Sequence, residues 1–289
     1  MGAGIGMAIE KISDTASWVA YFRALETERA DALFKDPFAR RLAGAVGEAI
    51  ATELGQAGLI ERVMAVRTAV FDELVLERVS RHGVDLVVNL GAGLDTRPWR
   101  LPLPRALTWV DVDLPAVLEY KQSMLSGEQL QCEYRAMPAD LADERACDAI
   151  FARLDSERRC ALVVTEGLLV YLSPARVAKL AKSLHRRRTF RWWLTDLSGP
   201  RALEVLAAVW QPVFAPGTLR FQFAPAESTA FFEPFGWHEE TFRAAAEEGR
   251  RLHRLRPLPW FGRVLLWLSS PSRREEFRRM AGTALLRRE

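Results

Sequence analysis

Residues 84–97 read V-D-L-V-V-N-L-G-A-G-L-D-T-R, and this stretch decides the fold. Its first part is a short, β-rich apolar run bounded by Gly83 and Gly91, which predicts a buried central strand of a parallel sheet. Gly91 and Gly93 then supply backbone freedom at the carboxyl end of that strand, where open α/β sheets bind ligands. The sequence therefore predicts a ligand-binding turn directly after the first strand.

Strand and helix patterns alternate on the carboxyl side of this turn. The predicted strands cover residues 107–112, 133–137, 161–165 and 189–196. A sixth strand is expected after Gly236, then a helix over residues 240–249, and residues 281–286 are expected to form a last edge strand. This alternation predicts the α/β class, with a doubly wound, mostly parallel, seven-stranded, Rossmann-like sheet.

Helical spacing of apolar residues dominates before the first strand, which adds an N-terminal helical extension of two or three helices. We interpret the chain as a flexible leader (1–12) and one domain (13–289) that carries a helical lid insertion. The parts of the domain are a helical cap at 13–80, a ligand-binding core at 84–197, a lid or acceptor wall at 200–235, and a C-terminal part at 236–289.

Composition excludes several functional classes. Forty basic residues against 37 acidic ones give a net charge of +3, which argues against a dedicated nucleic-acid binder. The three cysteines are far apart and show no C-x-x-C spacing, so neither a metal site nor a disulfide framework is indicated. No apolar run approaches the ~20 residues that span a bilayer. These features predict a cytoplasmic protein without a membrane partner, and the oligomeric state stays open.

Two acidic positions follow the second predicted strand. Asp111 and Asp113 lie 20 and 22 residues after Gly91, where a carboxylate can accept both hydroxyls of a ribose. The alternative is a helix N-cap before Pro115, and ribose binding is favoured for Asp113 over Asp111. Thr96 replaces the third glycine of a G-x-G-x-x-G dinucleotide motif, which disfavours a nicotinamide-dependent dehydrogenase.

Acidic residues also follow the third and fourth predicted strands. The carboxylate of Asp140 can accept from an exocyclic amine while Leu141 packs on a ring face, although an aspartate here also caps helices. Glu166 ends an otherwise buried strand, and a buried carboxylate needs a partner. Either a cationic ligand group or a structural salt bridge would satisfy it.

Four segments read, in chain order, N-L-G-A-G-L-D-T-R-P-W-R-L, V-D-V-D-L-P-A-V-L-E-Y-K, A-D-L and T-E-G-L-L-V-Y-L. They resemble the leucine carboxyl methyltransferase-like family of S-adenosylmethionine (SAM)-dependent methyltransferases, in its bacterial small-molecule O-methyltransferase branch. The likeness includes L-F-K-D-P-F-A-R-R-L, A-V-R-T-A-V-F-D-E and M-A-G-T-A-L-L, and so covers most of the chain. It implies a class I methyltransferase with SAM as cofactor and S-adenosylhomocysteine (SAH) as product.

The resemblance also implies roles at the methionine end of SAM. The glycine turn, here Gly91, Ala92 and Gly93, would pass under the methionine part. Glu166 matches a residue near the methionine amino group, and Arg67 resembles an arginine that pairs with the SAM carboxylate. A bidentate arginine–carboxylate contact is physically sensible there.

At the other end of the cofactor the resemblance gives Asp113 the ribose hydroxyls and gives Asp140 and Leu141 the adenine contacts. A basic residue from the first helix is also expected, for which Arg23 is the candidate and Lys11 the rival.

Asp95 would orient the glycine turn or the cofactor's amino group. Tyr171 is the catalytic candidate, in a positioning role: it would face the methionine or acceptor pocket, with core packing as the alternative.

The acceptor atom predicted from the resemblance is an oxygen. None of the four histidines stands in a catalytic motif, so no general base is identified; this favours a carboxylate, which is already ionised at pH 7, over a hydroxyl. The aromatics within residues 214–235 are the expected wall for a small, hydrophobic, polyketide-like acceptor, with plain core packing as the alternative. An NAD(P)-dependent oxidoreductase and a catalytically silent SAM-binding partner protein are the competing functions.

Overall fold

The apolar run after Gly83 forms the central strand β1 (Leu86–Leu90), and all five of its residues are buried. The computed structural model describes residues 12–53, 57–157, 159–210, 220–256, 267 and 269–289. Its other strands are β2 (Thr108–Asp113), β3 (Glu133–Pro138), β4 (Ala161–Thr165), β5 (Phe190–Ser198), β6 (Trp237–Ala244) and β7 (Ala281–Arg288). They form one seven-stranded sheet in the order β3-β2-β1-β4-β5-β7-β6.

Strand direction brings the predicted site to one edge of this sheet. Strands β1 to β5 pair in parallel, with Leu90 opposite Val112 and Asn89 opposite Val164. Their carboxyl ends therefore meet at the same edge, where β1 is followed by the glycine turn. Strand β7 is antiparallel to both β5 and β6, so the sheet is mostly parallel, and the predicted fold class is confirmed.

Two predictions about the C-terminal part were wrong. Residues 281–286 were expected at the edge, yet β7 lies between β5 and β6, with residues 282–286 buried, and β6 is the edge strand. Residues 240–244, expected to be helical, extend β6, and the helix that follows covers only Ala245–Arg251. In both cases hydrogen bonds between β7 and its neighbouring strands decide the structure, and the local sequence pattern does not.

Helices cover both faces of the sheet. In the part of the chain that the structure describes, they are α1 (Ile12–Glu28), α2 (Ala39–Glu53), α3 (Ala57–Arg81), α4 (Arg97–Arg100), α5 (Pro115–Met124), α6 (Glu144–Ser156), α7 (Pro174–His185), α8 (Pro200–Trp210), α9 (Ala245–Arg251) and α10 (Pro271–Arg278). Two 3-10 helices cover Leu169–Tyr171 and Ser228–Phe235. The predicted leader falls on residues 1–11, outside the described residues, and on Ile12, the first residue of α1.

The two faces of β1 bury different layers. Leu86, Val88 and Leu90 pack in the cluster that includes Phe151 of α6 and Val177 of α7. Val87 packs on the other face, in the cluster built around α3. Burial of side chains on both faces explains why every residue of this strand except Asn89 is apolar. Within the described residues, no helix is both long and apolar enough to cross a bilayer.

Candidate functional site

A cavity of about 650 Å³ opens at the carboxyl edge of the sheet. The eleven residues that the sequence favours for the site all line this cavity: Arg23, Arg67, Gly91, Ala92, Gly93, Asp95, Asp113, Asp140, Leu141, Glu166 and Tyr171. The rival candidate Lys11 lies outside the described residues. Residues scattered over almost 150 positions of sequence therefore meet at one place because the parallel strands end there.

The glycine turn is shaped by its backbone. Gly91 and Gly93 have φ values of 64° and 50°, in the left-handed region that favours glycine. A Cβ atom at Gly91 would lie 3.0 Å from Cδ1 of Leu168, and one at Gly93 would lie 3.3 Å from Cβ of Ala16. Side chains at these positions would also narrow the cavity, so the turn presents bare backbone to a ligand.

Asp113 ends β2 beside this turn. Its Oδ2 accepts from the Gly93 amide at 2.7 Å and its Oδ1 accepts from the Leu114 amide at 2.7 Å. Each carboxylate oxygen still has a lone pair for a further donor. Burial raises the pKa of Asp113 above its usual value, despite the two backbone donors.

Asp111, the weaker ribose candidate, has a structural position instead. It is fully buried, where Lys121 Nζ lies 2.6 Å from Oδ2 and Trp109 Nε1 donates to Oδ1 at 2.9 Å. Tyr134 and Asn89 donate to the same carboxylate. Asp111 is not part of the cavity lining, so the two acids of D-x-D serve different purposes.

Asp140 does not cap the helix that follows it. The N-cap of α6 is Asp143, whose side chain accepts from the Arg145 and Ala146 amides. Asp140 is exposed at the cavity, and its Oδ1 accepts from the Ala142 amide at 2.8 Å. Leu141 packs against the core cluster beside it. The capping alternative for Asp140 is therefore wrong.

Glu166 lies between two arginines. Its Oε1 accepts from Arg67 Nε at 3.0 Å, and its Oε2 lies 2.8 Å from Arg97 Nη1. Arg67 also pairs with Asp196, at 3.2 Å from Nη1 to Oδ2. Burial opposes the charge of Glu166, but the charges of Arg97 and Arg67 outweigh it and lower its pKa. The structural salt bridge considered for Glu166 therefore exists, and it lies at the cavity wall.

Asp95 and Arg97 fix the end of the glycine turn. The carboxylate of Asp95 accepts from the Arg97 amide at 2.8 Å and from Arg97 Nη1 at 2.7 Å. Burial disfavours the ionised form, yet the charges of Arg97 and Lys121 lower the pKa of Asp95 to about 2. Arg97 also donates through Nε to Asp72 of α3 at 2.7 Å. The turn is thus locked to α3 by buried charge.

Arg23 connects α1 to the same turn. Its Nε donates to Asp36 Oδ2 at 2.9 Å and its Nη2 to the Leu94 carbonyl at 2.6 Å. Thr96, which replaces the third glycine, donates to the same Asp36 oxygen at 2.7 Å. Arg23 is placed at the cavity wall, but it holds the loop.

Another part of the cavity lining is apolar. It is lined by side chains of α1, α3 and α8 and by one aromatic residue after α8: Val19, Ile60, Val63, Met64, Leu206 and Phe221. Leu59 and Val205 stand at this side with 56% and 64% of their surfaces exposed. We call this side the acceptor end, and the side formed by the glycine turn, Asp113, Asp140 and Glu166 the cofactor end.

The predicted aromatic wall was mostly wrong. Phe223 and Phe232 are buried in the core, and Phe232 packs on Trp193 with ring centroids 5.1 Å apart. Phe231 and Phe235 pack against the same cluster, and Phe214 lies outside the described residues. The core-packing alternative is correct for these rings because the antiparallel C-terminal part needs its own apolar layer.

Tyr171 stands where the two ends meet. Its ring lies 5.5 Å from that of Phe221, and both residues line the cavity. Burial raises the pKa of its hydroxyl to about 12, so it stays protonated at neutral pH. None of the four histidines, all of which the structure describes, lines the cavity.

Sequence reasoning missed five residues that hold the site: Asp36, Asp72, Asn89, Lys121 and Asp196. The first four stand inside the quoted motifs, in K-D-P-F, V-F-D-E, N-L-G and E-Y-K. Asp196 lies at the carboxyl end of β5, on the same sheet edge as the rest. The signals that could have found them were the polar residues inside these motifs and, for Asp196, a carboxylate near the end of a predicted strand.

Comparison with known proteins gives three findings. The family model described as "Leucine carboxyl methyltransferase" matches residues 16–185. A Mycobacteroides abscessus protein named "Putative S-adenosyl-L-methionine-dependent methyltransferase" is 37% identical over 175 residues, which cover 56% of this chain and 57% of that protein. A Mycobacterium tuberculosis protein of the same description is 37% identical over 190 residues, covering 59% and 60%. The chain thus matches less than two thirds of the length of these curated relatives.

Solved structures show the same fold. A crystal structure of a "putative methyltransferase" from Thermobifida fusca superposes with a TM-score of 0.58 at 16% identity, covering 99% of this chain and 98% of that one. A protein from Streptomyces avermitilis superposes with a TM-score of 0.55 at 12% identity, covering 95% and 97%. Both likenesses extend over nearly the whole chain.

Proposed function

The chain belongs to the leucine carboxyl methyltransferase family, and from that premise we propose that it transfers the methyl group of SAM to an oxygen of a small, hydrophobic, polyketide-like metabolite. The predicted cofactor is confirmed, because the curated relatives are named for their dependence on SAM. The methyl acceptor is part of the proposal.

The volume of the cavity and the side chains of the cofactor end support SAM as the ligand. A Cβ atom at Gly91 or Gly93 would press on Leu168 or Ala16, so the two glycines leave the backbone of the turn bare. Asp113 offers carboxylate oxygens for ribose hydroxyls, and Asp140 is free of helix capping. A cavity of about 650 Å³ is within the range of ~300–1,000 Å³ that small ligands occupy.

In our proposal Asp113 binds the ribose, and Asp140 and Leu141 contact the adenine. Glu166 and Arg67 hold the amino and carboxylate groups of the methionine part. Ion pairs fix these side chains before any ligand arrives, so little reorganisation is needed on binding.

When bound, SAM supplies an electrophilic methyl group on a sulfonium. The chain's own residues have to align an oxygen with that methyl group and keep water away. The apolar side chains of the acceptor end exclude water, and Tyr171 stands at the boundary as a protonated hydroxyl that can orient the acceptor oxygen.

One observation carries the choice of a carboxylate as acceptor: no histidine lines the cavity. Two acids of the cavity, Asp95 and Glu166, are ion-paired with arginines, which lowers their pKa values and makes them weak bases. A carboxylate acceptor needs no base, whereas an alcohol or phenol would benefit from one. The proposal therefore favours methyl ester formation over ether formation.

The test is methyl transfer from tritium-labelled SAM to matched pairs of hydrophobic carboxylic acids and alcohols. We expect labelled products from the acids, and mild alkali should release the label as methanol because esters hydrolyse and ethers do not. Label that survives alkali would assign a hydroxyl acceptor. SAH binding without transfer to either class would favour the silent binding protein.

A further inference from the structure

Asp196, at the carboxyl end of β5, contacts two parts of the cofactor end at once. Its Oδ1 accepts from the Gly167 amide at 2.7 Å, and its Oδ2 accepts from Arg67 Nη1 at 3.2 Å. Its side chain is 24% exposed and lines the cavity. It therefore joins α3, which carries Arg67, to the turn that follows β4.

The turn after β4 is fitted to the Arg67 guanidinium. Gly167 has a φ of 66°, and a Cβ atom there would lie 3.3 Å from Arg67 Nη1. The guanidinium thus packs against bare backbone, with Glu166 on its Nε and Asp196 on its Nη1. Two carboxylates and one glycine define where Arg67 can point.

Glu166 and Asp196 differ in the other groups that they contact. Glu166 is shared with Arg97 and, in the proposed function, with the cofactor's amino group. An ammonium group at Glu166 competes with Arg67 for the same oxygens. Among the residues that the structure describes, the Gly167 amide is the one other donor to the Asp196 carboxylate, so Asp196 stays paired with Arg67 when Glu166 binds the ligand.

We propose that Asp196 is a positioning residue that fixes Arg67 for the carboxylate of the methionine part; this rests on the proposed function. The charges agree with this role, because burial opposes the charge of Arg67 while Asp196, ahead of Glu166, raises its pKa. Asp196 acts through Arg67.

The test compares two ligands that differ only at the methionine end. SAH carries the amino and carboxylate groups, whereas 5′-methylthioadenosine lacks both and keeps the adenosine. Dissociation constants are measured by titration calorimetry for wild type and Asp196→Asn. We expect SAH to bind about 10- to 100-fold more weakly to the variant, and methylthioadenosine to bind within about twofold of wild type.

Glu240→Gln is the matched control. Glu240 also pairs with an arginine of α3, Arg78, and accepts from Trp192 Nε1 at 3.0 Å, and its side chain is 26% exposed. It is not part of the cavity lining, so neither ligand should lose affinity. Where Asp196→Asn fails to fold, Asp196→Glu keeps the charge but alters its reach. Asp196→Glu should weaken SAH alone, and less than the amide would.

Three results would contradict either the positioning role of Asp196 or the proposed function. Unchanged SAH affinity in the variants overturns the positioning role, and so does an equal loss for both ligands, which is what a merely structural residue would give. Wild type that binds no SAH overturns the proposed function itself.

Discussion

The cofactor end of the cavity is built from charged side chains that hold one another, whereas the acceptor end is built from apolar side chains on three helices. At the cofactor end, Arg97 alone contacts Asp72, Asp95 and Glu166. At the acceptor end, Leu59 and Val205 are more than half exposed. A zwitterionic ligand needs fixed charges at fixed places, while a hydrophobic one needs only a surface of suitable shape.

This difference has an energetic side. Buried charges cost several kcal/mol each unless they are paired, so the cofactor end is stable only as a complete network. Apolar walls tolerate substitution of similar volume at a cost below about 1.5 kcal/mol. Mutations at the cofactor end should therefore affect folding and cofactor binding. Mutations at the acceptor end should affect binding of the acceptor.

The largest effect is expected from Arg97→Met, which keeps the bulk of a buried side chain and removes its charge. Three carboxylates lose their shared partner, so the free energy of unfolding should fall by about 3–5 kcal/mol in urea denaturation. Arg176→Met is the control, because Arg176 is exposed at the same cavity, and it should change stability by less than about 0.5 kcal/mol. Equal unfolding free energies for Arg97→Met and Arg176→Met would show that the ion pairs of Arg97 do not stabilise the fold.

Asp113→Asn comes next. Loss of the charge that faces the ribose should weaken SAH and 5′-methylthioadenosine alike, by about 10- to 100-fold, in titration calorimetry. Asp85→Asn is the control, since Asp85 accepts from the Cys160 amide at 2.7 Å outside the cavity. Selective loss of SAH would place Asp113 at the methionine end instead.

Acid should weaken the network through Asp95. Its pKa is lowered from 3.8 to about 2, so its stabilising contribution is complete above about pH 4 and is lost as the pH falls toward 2. This amounts to roughly 2 kcal/mol. The difference in unfolding free energy between wild type and Asp95→Asn should therefore narrow between pH 4 and pH 2. A difference that stays constant over this range would contradict the assignment.

The smallest effect is expected at the acceptor end. Met64→Ala removes part of a half-buried apolar wall, so the KM for the acceptor should rise about fivefold, or about 1 kcal/mol, with the KM for SAM unchanged. Met124→Ala, which alters a half-buried methionine outside the cavity, should leave both constants unchanged. A rise in the KM for SAM in Met64→Ala would mean that the two ends are not separate.

The sequence predicted the central strands and the site residues well, because burial and ligand chemistry restrict which residue types can stand there. The strand at 161–165 was predicted to the residue, and all eleven site candidates line one cavity. Strand order was less accessible, because alternation of strands and helices does not say that β7 inserts between β5 and β6. The aromatic residues misled because rings serve a core and a pocket equally well.

The sequence predicted only part of the role of Arg97. Its motif pointed to the turn, but its partners Asp72 and Glu166 lie on α3 and after β4, far along the chain in opposite directions. Only the fold brings them together. The charged residues inside the sequence motifs indicate which side chains belong to such an ion-pair network, but the sequence does not show which of them pair with each other.

The placement of β7 has a consequence for biosynthesis. Strands β5 and β6 leave the ribosome before β7, which joins them, so the edge of the mostly buried β5 that β7 covers stays unpaired until residues 281–288 appear. Unpaired edges of buried, apolar strands are sites of aggregation. Substitutions in β7 should therefore lower the yield of native protein made in cells, even where the finished protein would bind its ligands normally.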